Sequence, residues 1–463
     1  MNGITKLSFA ATAAFILAAC GSSSTNDDDD FAVPPQPTPT TSLRVHHSVA
    51  DAPDVNVLAN GNAVLEGVPY GASSGILSVD AGDYSLQVDG ILPDGSVATV
   101  IGPADATFAQ NTRYEIFAIG SAADGSIEPL IFANMDSEID AGNARLQVVH
   151  AAPAAPAVDI FLTAPDADLA AAAPAATLQF GDYTGQLDVP AGEYQVRITV
   201  AGDPAAVAYD SGAIDIADGA DLVVAAINNT RTGNSPVMLQ VADGEGSTIL
   251  PDVNAGADIR VVHASADAPP VDVTVNNAGS PAIAGLAFGS GTDFINLPAA
   301  DYLIDVAAAG GSPVVIDDAP LSLATGDALS VYAVGSLTQG SLTLAVVGDA
   351  QRRVATEAQV QLVHASPSAG NVDIYVTATD DISSATPAFA DVPFDSSALV
   401  STGYVSLLPG DYVVTVTAAG TQTAAIGPIP LTLEGGGIYT AVAVDSEGGG
   451  LPPGLILLDD LAQ

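Results

Sequence analysis

The sequence has 463 residues, of which 48% are hydrophobic, and this is enough for several domains that each bury a core. Its 54 acidic residues face only 9 basic ones, which excludes nucleic-acid-binding proteins because such a surface repels phosphate groups. The single cysteine, Cys20, excludes an intramolecular disulfide bond and a cysteine-based metal site.

The first 20 residues have the features of a bacterial lipoprotein signal. Lys6 precedes an apolar run, 7–19, which suits a signal peptide and is too short to cross a bilayer as a helix. The run ends in LAAC at residues 17–20, which resembles the lipobox, in which the cysteine accepts the lipid. We predict a signal peptide over residues 1–19 and lipidation of Cys20, and an ordinary cleaved signal is the alternative. The residue after the cysteine is Gly21. An Asp at this position would resemble a signal for retention in the inner membrane, so its absence favours the outer membrane.

The next segment is predicted to be a lipidated, disordered tether over residues 20–42. Its Ser, Thr and Asp residues cannot form a core, and its proline-rich half favours polyproline II. Fully extended, such a segment reaches about 70 Å. The tether would therefore hold the first folded domain away from the lipid surface.

A motif with one histidine occurs four times in the remaining chain. It reads RVHHSVADAPDVNV at 44–57, QVVHAAPAAPAVDI at 147–160, RVVHASADAPPVDV at 260–273 and QLVHASPSAGNVDI at 361–374. Its histidines, 103, 113 and 101 residues apart, are His47, His150, His263 and His364. Nine residues later an aspartate recurs in three repeats, as Asp159, Asp272 and Asp373, and the first repeat has Asn56. This period predicts four domains, at 43–140, 144–254, 257–352 and 359–463, with a polar linker at 243–257 between the second and third.

A second recurring element places a tyrosine after a tight turn, followed by alternating apolar and polar residues. Examples are VPAGEYQVRITV at 189–200 and LPGDYVVTV at 408–416. This period of two is typical of strands with one buried face, and short strands with frequent turns predict antiparallel, immunoglobulin-like β-sandwiches. The element resembles the tyrosine corner of such sandwiches, where the hydroxyl bonds nearby backbone, and an ordinary half-buried tyrosine is the alternative. The tyrosines concerned are Tyr84, Tyr194, Tyr302 and Tyr412.

The two recurring elements together are similar to the domain of unknown function 4397. The shared pattern is [RQ]-[VL]-V-H-A-[SA] followed by V-D-[VI] and by PAG-[DE]-Y, and the resemblance covers about residues 43–460. It implies an extracellular β-rich module that occurs singly or in tandem on cell surfaces, and it supplies no known catalytic residues. The first repeat departs from the pattern, with VHHSV in place of VVHAS.

The repeated histidine could serve catalysis, metal binding or the fold. A Ser-His-Asp arrangement would use Ser265 or Ser366, but the equivalent residues are Val49 and Ala152 in the first two repeats. A zinc site would need three or four ligands, and each repeat offers one or two histidines and no cysteine. We therefore interpret the histidine as structural, bonded to a loop carbonyl or to the aspartate nine residues later. No catalytic residue, metal or other cofactor is predicted.

These observations favour a non-enzymatic, lipid-anchored protein of the cell envelope, either periplasmic or surface-exposed. Its four domains would form a rod for adhesion, matrix contact or surface display. The partners would be the membrane, through the lipid on Cys20, and extracellular polymer or envelope components. The alternative is a ligand-binding module for carbohydrate or a cation. The absence of tryptophan weakens the hypothesis of carbohydrate binding, and the absence of a D-x-[DN]-x-[DN]-G loop weakens that of calcium binding.

Overall fold

Eight β-sheets, two in each repeat, make up the residues that the computed structural model describes, which are 38–135, 137–396 and 398–461. The prediction of an all-β chain with four β-sandwiches is confirmed. The described helical structure is one 3-10 turn at Leu169–Ala171, which the Asp168 side chain caps by accepting from the Ala170 N–H. No helix within these ranges is long and apolar enough to cross a membrane. Residues 20–37 of the predicted tether, with Cys20, lie outside the described residues, as does the predicted signal peptide. The end of the tether at residue 42 is wrong, because a strand already begins at Thr40.

The first two repeats contain seventeen strands. The strands of repeat 1 are β1 Thr40–His47, β2 Val55–Ala59, β3 Asn62–Val68, β4 Leu77–Asp80, β5 Gly82–Ile91, β6 Val97–Phe108, β7 Thr112–Ile119 and β8 Glu128–Met135. Those of repeat 2 are β9 Asn143–His150, β10 Val158–Thr163, β11 Ala176–Leu178, β12 Leu187–Pro190, β13 Gly192–Val200, β14 Val207–Ile216, β15 Asp221–Asn228, β16 Val237–Ala242 and β17 Ser247–Leu250. The predicted linker at 243–257 is wrong in part, because β17 lies within it and pairs with β16.

The last two repeats follow the same order. The strands of repeat 3 are β18 Ala257–His263, β19 Val271–Val275, β20 Ile283–Leu286, β21 Ile295–Leu297, β22 Ala300–Ala308, β23 Val314–Leu323, β24 Ala328–Val334 and β25 Thr343–Gly348. Those of repeat 4 are β26 Ala358–His364, β27 Val372–Thr377, β28 Phe389–Val392, β29 Val400–Ser401, β30 Val405–Leu407, β31 Gly410–Ala418, β32 Ala424–Leu433, β33 Ile438–Val444 and β34 Gly454–Asp459.

One sheet of each sandwich contains a parallel pair. In repeat 1 the sheets have the orders β4-β1-β7-β8 and β3-β2-β5-β6, and β1 runs parallel to β7. The equivalent parallel pairs are β9 with β15, β18 with β24, and β26 with β33. The other pairings are antiparallel, as predicted. Alternation of apolar and polar residues specifies which face of a strand is buried, not the direction of its neighbour, so the sequence pattern did not reveal these pairs.

The histidine-bearing strand is buried on both of its faces. In β1 the side chains of Leu43 and Val45 point into the core between the two sheets of repeat 1. Arg44 and His46 alternate with them and are also almost fully buried. The second face is covered because the sheet packs against the neighbouring repeat.

The sandwiches are joined in two pairs by shared hydrophobic cores. Phe117 and Phe132 of repeat 1 pack with Val149 and Met238 of repeat 2 in one cluster of buried residues. An equivalent cluster joins repeats 3 and 4, and its members include Val262, Tyr332, Val363, Val442 and Ile456. Burial of apolar surface is the main favourable term in such association. Repeats 1 and 2, and likewise repeats 3 and 4, therefore form continuous packed units.

A further contact joins repeat 1 to the segment between repeats 3 and 4. The guanidinium of Arg352 donates to the carbonyl oxygens of Ala50, at 2.9 Å, and Ala52. It also lies over the ring of Tyr70, 5.1 Å from the ring centroid. Domains that touch only their neighbours in sequence would not make this contact, because about 300 residues separate these positions.

Candidate functional site

The recurring histidine closes the loop that follows it in every repeat. We call the seven residues from each histidine onward the histidine loop. The imidazole Nε2 of His47 lies 3.0 Å from the carbonyl oxygen of Pro53, six residues later. The same bond joins His150 to Pro156 and His263 to Pro269, both at 3.0 Å, and His364 to Gly370 at 2.7 Å. Of the two partners expected from the sequence, the loop carbonyl is therefore the one present.

The geometry assigns the proton of each imidazole. A carbonyl oxygen can only accept, so Nε2 carries the hydrogen and donates. Nδ1 accepts a long hydrogen bond of 3.4 Å from the backbone N–H two residues later, as from Val49 to His47 and from Ser265 to His263. Both ring nitrogens are thus engaged within the histidine loop, and the ring is held in its neutral form.

Burial favours the neutral form of three of these imidazoles. Desolvation lowers the pKa of His47 to about 4, against an opposing contribution from its hydrogen bond to Pro53. Burial also lowers the pKa values of His263 and His364. When protonated, the imidazoles of His47 and His263 would lose hydration without a carboxylate partner to compensate, whereas Asp445 partly offsets this loss at His364.

The serines considered for catalysis do not contact the imidazole through their hydroxyls. The hydroxyl of Ser265 donates to Asp267 at 3.3 Å, and the hydroxyl of Ser366 donates to Asp445. Each serine meets its histidine only through its backbone N–H. A base that removes a proton from a nucleophile must lie within hydrogen-bond reach of it, and this contact is not formed.

The recurring aspartates hold turns of the other sheet. The carboxylate of Asp272 accepts from the N–H groups of Gly285 and Gly310, at 2.7 and 2.8 Å, and these bonds lower its pKa. Asp373 accepts from the N–H groups of Asp391 and Gly420, both at 2.8 Å. Asp159 accepts from the Thr177 hydroxyl at 2.5 Å and the Gly202 N–H at 2.7 Å. Asn56 of repeat 1 accepts similarly from the Gly67 N–H at 3.0 Å.

The four tyrosines form the predicted corner. Each hydroxyl donates to the carbonyl oxygen four residues earlier, across the turn that precedes the strand. The bonds join Tyr84 to Asp80, Tyr194 to Pro190 and Tyr302 to Pro298 at 2.8 Å, and Tyr412 to Leu408 at 2.9 Å. This geometry favours the tyrosine corner over an ordinary strand tyrosine.

Sequence reasoning missed an aromatic partner of the histidine. The ring of Tyr70 meets the imidazole of His47 edge-on, with the centroids 6.1 Å apart. Phe288 and Phe394 make the same contact with His263 and His364, at 6.1 and 6.0 Å. These aromatics follow their histidines by 23, 25 and 30 residues, so a fixed period does not reveal them. They also pack against the cores that join the paired repeats.

A buried polar network crosses the interface of repeats 1 and 2. Arg44 donates to both carboxylate oxygens of Glu115, each at 2.8 Å, and His46 Nε2 lies 2.9 Å from the same carboxylate. Ser73 Oγ is 2.7 Å from His46 Nδ1 and accepts from the amide of Gln240, a residue of repeat 2. Arg44 also donates to the carbonyl oxygen of Ala242. The interface is therefore specified by polar groups as well as by apolar packing.

No group of three or more His, Cys, Asp or Glu side chains that could hold a metal ion occurs in the described part of the chain. The imidazole of each histidine loop is instead bonded to the backbone of that loop. The recurring residues of all four repeats therefore support loops, turns and interfaces.

The family comparison fits this recurrence. The family described as "Domain of unknown function (DUF4397)" matches residues 41–161 and again residues 257–375, which together exceed half of the sequence. The chain belongs to this family. Each match runs through one sandwich and on into the first two strands of the next, so the DUF4397 pattern includes part of the paired sandwich.

Other comparisons add little to the family assignment. No curated protein matches the sequence. The chain is similar to a solved structure titled "The Bacillus anthracis TIE protein", with 11% sequence identity over 88% of this chain and 68% of that chain. The TM-score of 0.14 is too low to carry an argument about fold or function.

Proposed function

We propose that this chain is a non-enzymatic, lipid-anchored protein of the cell envelope that presents its four sandwiches for adhesion, matrix contact or surface display. The observation that carries this proposal is the hydrogen bonding of the recurring histidine. In every repeat its Nε2 is bonded to a backbone carbonyl of its own loop. The recurring residues therefore have a structural role, and the exposed surface of the repeats remains available for binding other molecules.

The distribution of charge supports a solvated, display-type surface. Four of the eight arginines, Arg44, Arg113, Arg145 and Arg260, are less than 5% exposed and serve internal contacts. Burial of these cations leaves the acidic side chains dominant outside. Such a surface repels anionic polymers and attracts cations at low ionic strength.

Lipidation is tested by replacing the predicted acceptor. We expect wild-type protein to incorporate a labelled fatty acid and to sediment with membranes. Cys20→Ser is expected to lose the label and to leave the membrane fraction, with Ser22→Ala as the matched control. Equal labelling of both proteins, or unchanged sedimentation of the unlabelled variant, would contradict the anchored arrangement.

Carbohydrate binding is the second candidate, and one observation favours it. Tyr183 is 44% exposed, and its ring stacks on that of Phe132, with the centroids 4.0 Å apart. Phe180, three residues before it, is 37% exposed. A fixed, exposed ring offers the flat apolar face on which a sugar can stack. A glycan array compared between wild type and Tyr183→Ala tests this role, and signals of equal strength would reject it.

A further inference from the structure

A cavity of about 530 Å³ opens at the interface of repeats 3 and 4. We call it the interface cavity, and it lies where the end of β25 meets β26. Its lining includes Asp349 and Gln361 together with Ser401 and Tyr404. The lining therefore combines apolar side chains with several oxygen atoms that can accept hydrogen bonds.

One of these acceptors is buried and unpaired. Among the residues that the structure describes, the amide oxygen of Gln361 has no hydrogen-bond partner, although the side chain is only 2% exposed. Its amide nitrogen donates to the Gly348 carbonyl oxygen at 3.1 Å, which fixes the orientation of the amide. Buried acceptors are nearly always paired in native proteins, so this one points to a missing donor.

The equivalent position between repeats 1 and 2 has that donor. There Gln147 and Asn134 exchange two hydrogen bonds, at 2.6 and 3.1 Å. The strand registers place Gln361 at the position of Gln147 and Asp349 at the position of Asn134. An ionised aspartate cannot donate a hydrogen bond, so Asp349 in its ionised form would leave the Gln361 amide oxygen unpaired.

The same region holds an excess of negative charge. Arg260 donates to Asp349 at 2.7 Å and to Asp459 at 2.6 Å, so one cation serves two carboxylates. The side chains of Arg260, Asp349 and Asp459 are 4%, 1% and 13% exposed. The Asp349 carboxylate also accepts from the hydroxyls of Ser330, at 2.7 Å, and Tyr404, at 3.2 Å. A bound cation would balance the three charged groups.

We propose that the interface cavity binds the primary ammonium group of a small organic amine. Its N–H groups would donate to the Gln361 amide oxygen, and its charge would lie against Asp349. A calcium ion fits less well, because it takes six to eight oxygen ligands. No group of three acidic, histidine or cysteine side chains that could hold a metal is found in the described ranges. This inference goes beyond the proposed function and does not depend on membrane attachment.

The test is calorimetric titration of the full chain with 1,4-diaminobutane at pH 8 and low ionic strength. Asp349→Asn restores the Asn–Gln pair of the other interface and removes the negative charge, so we expect it to bind at least 10-fold more weakly. Gln361→Leu removes the unpaired acceptor and should weaken binding as well. Asp317→Asn removes an exposed carboxylate of β23 and serves as the matched control, with binding like that of wild type. Circular dichroism checks that each variant is folded.

Tetramethylammonium separates this site from general attraction to an acidic surface, because it carries the charge without any N–H donor. We expect no comparable binding of tetramethylammonium by wild type. Equal binding of the two cations, or equal binding of the diamine by wild type and Asp349→Asn, would overturn the proposal. Absence of diamine binding by wild type would also overturn it. If wild type does not bind the diamine, a proton on Asp349 would be the donor to the Gln361 amide oxygen, since burial raises the pKa of Asp349.

Discussion

Acidification is expected to weaken repeat 1 through His47. The imidazole is buried, its Nε2 donates to Pro53, and its pKa in the folded chain is about 4, compared with about 6.5 for an exposed histidine. Between these values the unfolded chain binds a proton that the folded chain does not. The stabilising effect of the neutral imidazole is therefore complete above pH 6.5 and is lost as the pH falls towards 4.

The size of the effect follows from the shift. One pKa unit corresponds to about 1.4 kcal/mol, so the difference amounts to about 2 kcal/mol at pH 5. Acidification also protonates carboxylates across this acidic chain, and this affects wild type and variant alike. The prediction therefore compares wild type with His47→Phe, a variant that keeps a ring beside Tyr70. Between pH 8 and pH 5, the opening free energy of repeat 1 should fall by about 2 kcal/mol less in the variant than in wild type.

Hydrogen exchange measured by mass spectrometry is the appropriate assay, because the chain has several domains and need not unfold in one step. Peptides from β1 and β2 report the opening free energy of repeat 1 at each pH. His263→Phe, the same change in repeat 3, should leave these peptides as in wild type. If wild type and His47→Phe lose protection in repeat 1 to the same extent on acidification, the assignment of a neutral, buried His47 is wrong.

Three further predictions concern stability. Glu115→Gln should lower the opening free energy of repeat 1 by about 3–5 kcal/mol in hydrogen exchange, because it leaves Arg44 charged and buried. A double variant with apolar residues in place of Arg44 and Glu115 should recover much of this loss. Tyr302→Phe should lower the opening free energy of repeat 3 by about 0.5–1.5 kcal/mol in the same assay through loss of the corner hydrogen bond, and unchanged protection of repeat 3 would argue against that bond. Arg352→Ala should increase hydrogen exchange at the histidine loop of repeat 1 and leave that of repeat 3 unchanged, because it removes a contact with the loop carbonyls of Ala50 and Ala52.

The strands and the histidine loop could be predicted because their signals are local. Residues 194–200 alternate with a period of two, and Tyr194 follows a turn at a fixed distance. The bond from each histidine spans six residues, so the whole loop falls within one motif. Local patterns of this kind specify burial and turn geometry without knowledge of the rest of the fold.

The pairing of repeats could not be predicted, because its determinants differ between the two interfaces. Arg44 and Arg260 occupy the same place in their motifs, yet Arg44 pairs with Glu115 and Arg260 with Asp349 and Asp459. The residue at the position of Glu115 in repeat 3 is Ser330. The sequence therefore shows an arginine that recurs in repeats 1 and 3 without an acidic partner that recurs with it. The folded structure is needed to identify the carboxylates that pair with each arginine.

Protease treatment of intact cells tests the proposed display at the cell surface most directly. Proteinase K suits the experiment better than trypsin, because the sequence beyond Lys6 has only eight arginines and four of them are almost fully buried. The measurement is immunodetection of repeat 4 before and after treatment, with a periplasmic protein as the control for cell integrity. Loss of repeat 4 from intact cells is the result expected for a protein displayed at the surface. Full protection, with cleavage only after lysis, would contradict surface display and would favour a role inside the envelope.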